Sequence, residues 1–162
     1  MVFWLSLCFH VRTVNHLLPI LLVEDSDDDV LLTLRAFARC GLANPIIVVR
    51  DGLEALDWLF QEGAYASGRP PRQPALILLD LKLPKIDGLG VLRAMRADPR
   101  TQTIPVVMLT SSAEQRDLME SYRLGCNSYV QKPVDFAEFV VAARTLGFYW
   151  LLLNRRPDGS SV

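Results

Sequence analysis

The chain has 162 residues, a length typical of one domain, and its 51% hydrophobic and 22% charged residues exclude a disordered chain. Its 17 Lys and Arg residues nearly cancel its 18 Asp and Glu residues, so the net charge of −1 argues against binding to nucleic acid through a basic surface. The three cysteines are widely separated and both histidines lie in the first 16 residues, which argues against a zinc site or a disulfide framework.

The chain begins with an apolar stretch, Met1–Phe9, that resembles the core of a signal peptide. It lacks a basic leader and a small-residue cleavage site, so we interpret residues 1–16 as an extension from a start codon assigned too early, with Val14 as the alternative start. No apolar run approaches the ~18 residues that a membrane span needs. We therefore expect a cytoplasmic protein without membrane contact, with its domain at 17–153 and a loose polar tail at 154–162.

From residue 17 onward, five short apolar runs alternate with five segments of helical period. The runs are Leu17–Val23, Ile46–Val49, Ala75–Leu79, Ile104–Leu109 and Ser128–Gln131. Because their hydrophobicity is continuous and not alternating, they indicate strands covered on both faces, as in a parallel sheet. Five βα units with right-handed crossovers predict an α/β, flavodoxin-like (βα)5 fold: a doubly wound three-layer sandwich with a five-stranded parallel sheet in the order 2-1-3-4-5.

Apolar residues at helical spacing mark the first four helices. They are Val30, Leu31, Leu34, Phe37 and Ala38; Leu53, Leu56, Leu59 and Phe60; Val91, Leu92 and Met95; and Leu118, Met119 and Tyr122. Ser111-x-x-Glu114 and Asp135-x-x-Glu138 are capping-box patterns that predict the starts of the fourth and fifth helices, the fifth running from Val134 to about Leu153. We expect helices to stop near Gly41, Gly63 and Gly125.

Polar groups follow four of the five predicted strands. Glu24 and Asp25 follow the first strand, Asp80 the third, Thr110 the fourth and Lys132 the fifth. Taken singly, each residue is explained as a helix cap, a strand former or a solvated charge. Because the carboxyl ends of parallel strands meet at one edge of the sheet, three acids, a hydroxyl and an ammonium there together indicate a functional site.

The donor set indicates the chemistry of this site. Oxygen ligands without His or Cys favour a hard ion, most simply Mg²⁺, which also offsets the repulsion between carboxylates. The ion, Lys132 and the Thr110 hydroxyl would neutralise the oxygens of a transferring phosphoryl group. A carboxylate can accept that group as an acyl phosphate, and Asp80, on the central strand, is the candidate.

Four motifs make residues 18–153 resemble a receiver domain of a two-component response regulator. They are Leu22-Val-Glu-Asp25, Leu78-Leu-Asp-Leu-Lys-Leu-Pro84 with Asp87-Gly88, Val107-Met-Leu-Thr110-Ser111, and Tyr129-Val-Gln-Lys132-Pro133. The resemblance implies that Asp80 accepts phosphate from a sensor histidine kinase. It also implies that Asp25, Asp80 and the main-chain carbonyl of Lys82 bind Mg²⁺ directly, with Glu24 acting mainly through water.

The same resemblance assigns the remaining site residues. Thr110 matches the switch hydroxyl, Tyr129 the switch aromatic and Lys132 the phosphate-binding lysine. Phosphate is expected to draw Thr110 inward while Tyr129 fills the vacated space. Lys82 and Ser112 occupy the positions that tune phosphate lifetime, and we predict that Lys82 slows hydrolysis.

No output domain follows the predicted domain, so we expect the signal to leave by protein contact. The last helix carries the apolar residues Phe136, Phe139, Val140, Ala143, Leu146 and Trp150, with Val141, Phe148, Tyr149 and Leu152 beyond this stripe. This excess predicts a homodimer through the fourth and fifth βα elements, against a helix simply covered within the monomer. The long Gly63–Pro74 connection and the aromatic helix end resemble regulators paired with phytochrome-type kinases, which implies a bacteriophytochrome as donor.

Three other functions compete with a phosphoacceptor. A degenerate receiver serving as a phosphorylation-independent scaffold is disfavoured because every expected acid, Thr110 and Lys132 are present. A phosphatase of the haloacid dehalogenase type needs an Asp where Lys82 stands, so an enzyme with turnover is not expected. A flavodoxin would bind phosphate at the loop Glu24–Asp29, which is acidic.

Overall fold

The computed structural model describes residues 17–70 and 72–155, which form alternating strands and helices. The strands are β1 (Ile20–Val23), β2 (Ile46–Val49), β3 (Leu76–Leu79), β4 (Val106–Thr110) and β5 (Ser128–Gln131). The helices are α1 (Asp27–Arg39), α2 (Gly52–Phe60), α3 (Gly88–Ala97), α4 (Gln115–Arg123) and α5 (Phe136–Gly147), with a 3₁₀ turn at Gly63–Tyr65 and a π-helical segment at Phe148–Leu153. The predicted extension, residues 1–16, and most of the predicted tail lie outside the described residues.

The sheet confirms the predicted topology. Its five strands are all parallel and lie in the order β2-β1-β3-β4-β5, with Val23 paired to Val49 on one side and to Leu79 on the other. Strands β1, β3 and β4 are buried along their whole length, as continuous hydrophobicity predicts. The edge strands β2 and β5 are mostly half-buried, because each has a neighbour on one side only.

Two apolar cores lie on opposite faces of the sheet. One packs α2 and α3 against the sheet around Trp58, Leu92 and Met95. The other packs α1 and α5 around Phe37 and Phe139. This three-layer arrangement leaves the carboxyl edge of the sheet uncovered, where the polar residues lie.

Three predicted helix faces differ from the observed ones. In α1, Leu31 and Ala38 are exposed, and Thr33 and Ala36 are buried beside the predicted Val30 and Phe37. In α2, Leu53 is exposed. In α4, Met119 and Tyr122 are more than half exposed, and the buried residue is Ser121. The buried positions of α1 and α4 thus include small residues that hydrophobic patterning does not select.

The predicted caps have mixed outcomes. Asp135 caps α5 by accepting a hydrogen bond from the Glu138 N–H at 3.1 Å, which confirms the predicted cap, and the helix begins at Phe136 and not at the predicted Val134. Ser111-x-x-Glu114 is wrong as a capping box, because α4 begins after Glu114 without a side-chain cap. Gly63 lies in the 3₁₀ turn, and Gln61 takes the left-handed conformation that ends α2.

The final helix continues from α5 into the π-helical segment and ends at Leu153, as predicted. Its 18 residues from Phe136, with a mean hydropathy of 1.4, satisfy the length and composition of a membrane span, contrary to our expectation that no run in the chain would. A third of this helix is buried inside the domain, with Phe139, Ala143 and Trp150 in the core. Packing within the domain covers this part of the helix, whereas Val141, Phe148 and Leu152 remain more than half exposed.

Candidate functional site

The predicted polar residues meet at the carboxyl edge of the sheet. Glu24 and Asp25 directly follow β1, Asp80 follows β3, Thr110 ends β4, and Lys132 follows β5. Glu24, Asp80 and Thr110 are buried, and Asp25 is exposed. The fold therefore brings together five residues that are up to 108 positions apart in the chain.

Three carboxylates form a cluster that suits a metal ion. Glu24, Asp25 and Asp80 each offer an oxygen atom, and these atoms lie within 4.8 Å of one another. Burial raises the pKa of Glu24, a shift that the hydrogen bond from Lys132 only partly offsets. Since close carboxylates repel each other and all the donors are hard oxygens, the residues present fit a divalent cation such as Mg²⁺.

Lys132 lies among these acids with its side chain only 10% exposed. Its Nζ forms a short hydrogen bond with Glu24, lies 2.6 Å from Asp29 Oδ2 and lies 3.8 Å from Asp80 Oδ1. Burial works against the charge of Lys132, but the hydrogen bonds to Asp29 and Glu24 and the charge of Asp80 outweigh it and raise its pKa. The ammonium group is therefore charged at neutral pH.

The loop between β4 and α4 links the predicted switch residues through Ser112. The Ser112 N–H donates to Thr110 Oγ1 at 3.2 Å, and the Tyr129 hydroxyl donates to the Ser112 carbonyl at 3.1 Å. The Ser112 hydroxyl donates to Asp117 Oδ2 at 2.6 Å. Thr110 and Tyr129 are thus coupled through one loop residue, and that residue is tied to the first turn of α4.

The loop between β3 and α3 is fixed on both sides. The Gly88 N–H donates to the Leu81 carbonyl at 2.9 Å, and Lys85 forms an ion pair with Asp51 at 2.6 Å. The carboxylate of Asp51 also caps α2. The hydrogen bond from Lys85 and the positive charge of Lys85 lower the pKa of Asp51. Lys82 lies in this loop with an exposed side chain, two residues after Asp80.

Two residues of the site have roles that sequence reasoning missed. Asp29 is one acid of the acidic loop Glu24–Asp29, and it contacts Lys132 directly. Asp117 belongs to none of the predicted motifs, and its carboxylate accepts the hydrogen bond from the Ser112 hydroxyl. Asp25 precedes α1 and Asp29 lies in its first turn, so no helical spacing in the sequence indicates the position of Asp29.

Comparison with known proteins identifies relatives of matching length. The family model for the response regulator receiver domain matches residues 20–144. The structure of the bacteriophytochrome response regulator RtBRR is 54% identical, with a TM-score of 0.71, and the match covers 89% of this chain and 86% of that one. The structure of the phosphorylated cyanobacterial phytochrome response regulator RcpA is 38% identical, with a TM-score of 0.79, and the match covers 87% of this chain and 99% of that one.

A third relative is response regulator Rcp1 of Synechocystis sp., which is 39% identical over 82% of this chain and 88% of its own length. A crystal structure of the Mn²⁺-bound form of Rcp1 has a TM-score of 0.77 and 38% identity, covering 86% of this chain and 99% of that one. A divalent ion in this relative agrees with the oxygen-only cluster of Glu24, Asp25 and Asp80.

Proposed function

This chain belongs to the response regulator receiver family and is a two-component signalling protein, and we propose that Asp80 is the residue on which it accepts a phosphoryl group. The observation that carries the proposal is the convergence of an ammonium and three carboxylates around the end of β3. Asp80 is buried there, with Lys132 Nζ 3.8 Å from its carboxylate. A scaffold that is never phosphorylated would have no need to bury Asp80 and Glu24 beside Lys132.

The proposed transfer is a nucleophilic displacement at phosphorus. A carboxylate oxygen of Asp80 forms a bond to the phosphorus of a phosphohistidine while the P–N bond breaks, and the imidazole nitrogen keeps the electron pair and takes up a proton. Lys132 neutralises a phosphoryl oxygen, and the Thr110 hydroxyl donates a hydrogen bond to another. Both groups lie at the same edge of the sheet as Asp80, which supports their role in stabilising the charge that develops on the phosphoryl oxygens.

Receiver domains bind a divalent metal, and we propose Mg²⁺ as the ion in this chain. Asp25, Asp80 and the main-chain carbonyl of Lys82 would hold it directly, with Glu24 acting through water. When bound, the ion supplies positive charge toward the phosphoryl oxygens. The burial of Glu24 and Asp80 beside the exposed Asp25 supports an ion that binds from the solvent side.

The proposed output is a rearrangement of the β4–α4 loop. In the described state Thr110 Oγ1 accepts the Ser112 N–H. The same hydroxyl can donate its O–H to a phosphoryl oxygen, so a phosphoryl group that draws Thr110 inward would pull the loop with it through this bond. Tyr129, bound to the Ser112 carbonyl, would then shift with the loop. The change would reach α4 because Ser112 also holds Asp117.

The proposal is tested by incubating the purified chain with acetyl phosphate and Mg²⁺ and measuring its intact mass. We expect a gain of one phosphoryl group, about 80 Da, that requires the metal and is absent in Asp80→Asn. Because some receivers take phosphate only from a kinase, a phosphorylated kinase is the second donor. No adduct from either donor would contradict the proposal and favour the scaffold function.

A histidine kinase is the partner class of this family, and we propose a bacteriophytochrome kinase as the donor. The 54% identity to a bacteriophytochrome response regulator supports this choice. Such a kinase would act in the cytoplasm, where we propose that this chain works without contact to nucleic acid. Transfer from a labelled bacteriophytochrome kinase should be at least tenfold faster than from an unrelated histidine kinase, and equal rates would contradict the pairing.

We also propose a homodimer through the fourth and fifth βα elements. Support comes from exposed apolar side chains at the end of the last helix, where Phe148, Tyr149 and Leu152 are each at least half exposed, and from Met119 on α4. Exposed apolar patches of this kind mark contact surfaces. Sedimentation should show a dimer that Tyr149→Ser weakens, whereas a monomer at every concentration, phosphorylated or not, would contradict it.

A further inference from the structure

The ammonium group of Lys132 is shared by carboxylates from two different elements. Glu24 follows β1 and belongs to the carboxylate cluster with Asp25 and Asp80. Asp29 lies in the first turn of α1, outside that cluster, and its Oδ2 lies 2.6 Å from Nζ, closer than the 3.8 Å to Asp80. In the described state, therefore, two of the three N–H groups of Lys132 are engaged away from the phosphoacceptor.

We propose that Asp29 is a positioning residue that competes with the phosphoryl group on Asp80 for Lys132 and thereby sets the stability of the phosphorylated state. The proposal rests on the function proposed above for Asp80 and Lys132. The Lys132 ammonium carries one positive charge, and each carboxylate in contact with this group weakens the attraction of the group for another anion. Asp29 also carries its own negative charge near the place where the phosphoryl oxygens would lie.

The backbone keeps Asp29 in this position. Its N–H donates to Ser26 Oγ at 3.3 Å, the N-cap contact that begins α1, so the carboxylate extends from an ordered helical turn. Its side chain is 32% exposed against 10% for Lys132, so water reaches the outer side of the pair. Glu24 is shared with the metal cluster, which leaves Asp29 as the partner of Lys132 that has no second task among the described contacts.

Asp28 provides a matched control for Asp29. It lies in the same first turn of α1, carries the same charge and is exposed, and none of the described contacts joins it to Lys132. Asp28→Asn and Asp29→Asn therefore remove the same charge from the same helix end and lose similar interactions with the helix dipole. Only Asp29→Asn removes a carboxylate that contacts Lys132.

The test uses BeF₃⁻, a phosphoryl mimic that binds a carboxylate oxygen, at saturating Mg²⁺. Its affinity is measured for the parent chain, Asp29→Asn, Asp28→Asn, Asp29→Glu and Asp80→Asn. We expect Asp29→Asn to bind about two- to fivefold more tightly than the parent, the range of a partly exposed ion pair, and Asp28→Asn to match the parent. Asp29→Glu, which keeps a carboxylate within reach of the lysine, should return the affinity toward that of the parent.

The other possible outcomes of the BeF₃⁻ titrations separate the explanations. An equal increase in BeF₃⁻ affinity for Asp28→Asn and Asp29→Asn would show a general charge effect and overturn the proposal. Weaker binding or no change in Asp29→Asn would overturn it too, because Asp29 would then orient Lys132 without competing. If the parent itself failed to bind BeF₃⁻, or bound it equally well with Asp80→Asn, the function proposed for Asp80 would be wrong and this inference would fall with it.

Discussion

Replacing Gly88 with Ala should destabilise the domain and weaken metal binding at once. A Cβ atom at this position would lie 2.2 Å from the main-chain oxygen of Asp80 and 2.9 Å from the Cα of Leu81. Both are backbone atoms, so no side-chain rotation can relieve the overlap. The loop after Asp80 must move, and the hydrogen bond from the Gly88 N–H to the Leu81 carbonyl is strained or lost.

The magnitude follows from these two effects. Overpacking against backbone costs about 1–3 kcal/mol, and the loss of one backbone hydrogen bond costs about 1 kcal/mol. Since Ala is the better helix former by at most about 1 kcal/mol at this first position of α3, the net loss should be about 1–4 kcal/mol. For a domain of this size, that loss lowers the Tm by roughly 2–16 °C.

Gly90→Ala is the matched control. Its Cβ would lie 2.9 Å from Ile86 Cγ2 and 3.2 Å from Asp87 Oδ1, which are side-chain atoms and not backbone atoms of the loop after Asp80. Urea unfolding should therefore place Gly90→Ala within about 1 kcal/mol of the parent. Calorimetric titration with Mg²⁺ should show weaker binding for Gly88→Ala only. If Gly88→Ala matched Gly90→Ala in both measurements, the close approach to Asp80 would not constrain the loop and the reasoning would be refuted.

Three further predictions concern single side chains. The buried hydroxyl of Ser121 has no hydrogen-bond partner among the residues that the structure describes. Ser121→Ala should therefore leave the free energy of unfolding unchanged or raise it by up to ~1 kcal/mol, and a decrease of more than ~1 kcal/mol in urea unfolding would show that the hydroxyl is bonded. The hydrogen bond to Glu54 and burial raise the pKa of Tyr65 to about 12 from 10.0, so the folded state binds the proton more tightly. The difference in the free energy of unfolding between the parent chain and Tyr65→Phe should therefore be largest below pH 10 and should decline between pH 10 and 12. A difference that does not change with pH would contradict the raised pKa. Lys82→Asn should speed hydrolysis of the acyl phosphate, as followed by the loss of labelled phosphate, and an unchanged rate would contradict the shielding role of this lysine.

The sequence predicts the fold and much of the site because of parallel topology. Once the strands are recognised by continuous hydrophobicity, the residues that follow them must share one edge, which is why Asp25, Asp80 and Lys132 could be grouped without coordinates. Strand limits are less certain: the first strand was expected from Leu17 and begins at Ile20. An apolar run shows where a segment is buried, while its hydrogen bonding depends on neighbouring strands.

The parts that could not be predicted depend on how far side chains reach and how closely helices pack. The contact between Asp29 and Lys132 spans 103 positions, and no periodicity encodes it. The bond from Ser112 to Asp117 depends on the path of a loop whose length alone does not fix its shape. The buried face of α4 presents Ser121, a residue that hydrophobic patterning assigns to the surface.

The π-helical segment Phe148–Leu153 changes the phase of the last helix. Bonds that span five residues, as from the Asn154 N–H to the Tyr149 carbonyl at 2.8 Å, place one more residue in the turn than an α-helix would. Within this segment Trp150 and Leu151 are buried, at 8% and 2% exposure, while Phe148, Tyr149 and Leu152 face outward. Insertion or deletion of a single residue here would rotate every later side chain about the helix axis. A change of one residue in this segment can thus turn the exposed aromatic side chains in another direction while the core before Gly147 keeps its packing.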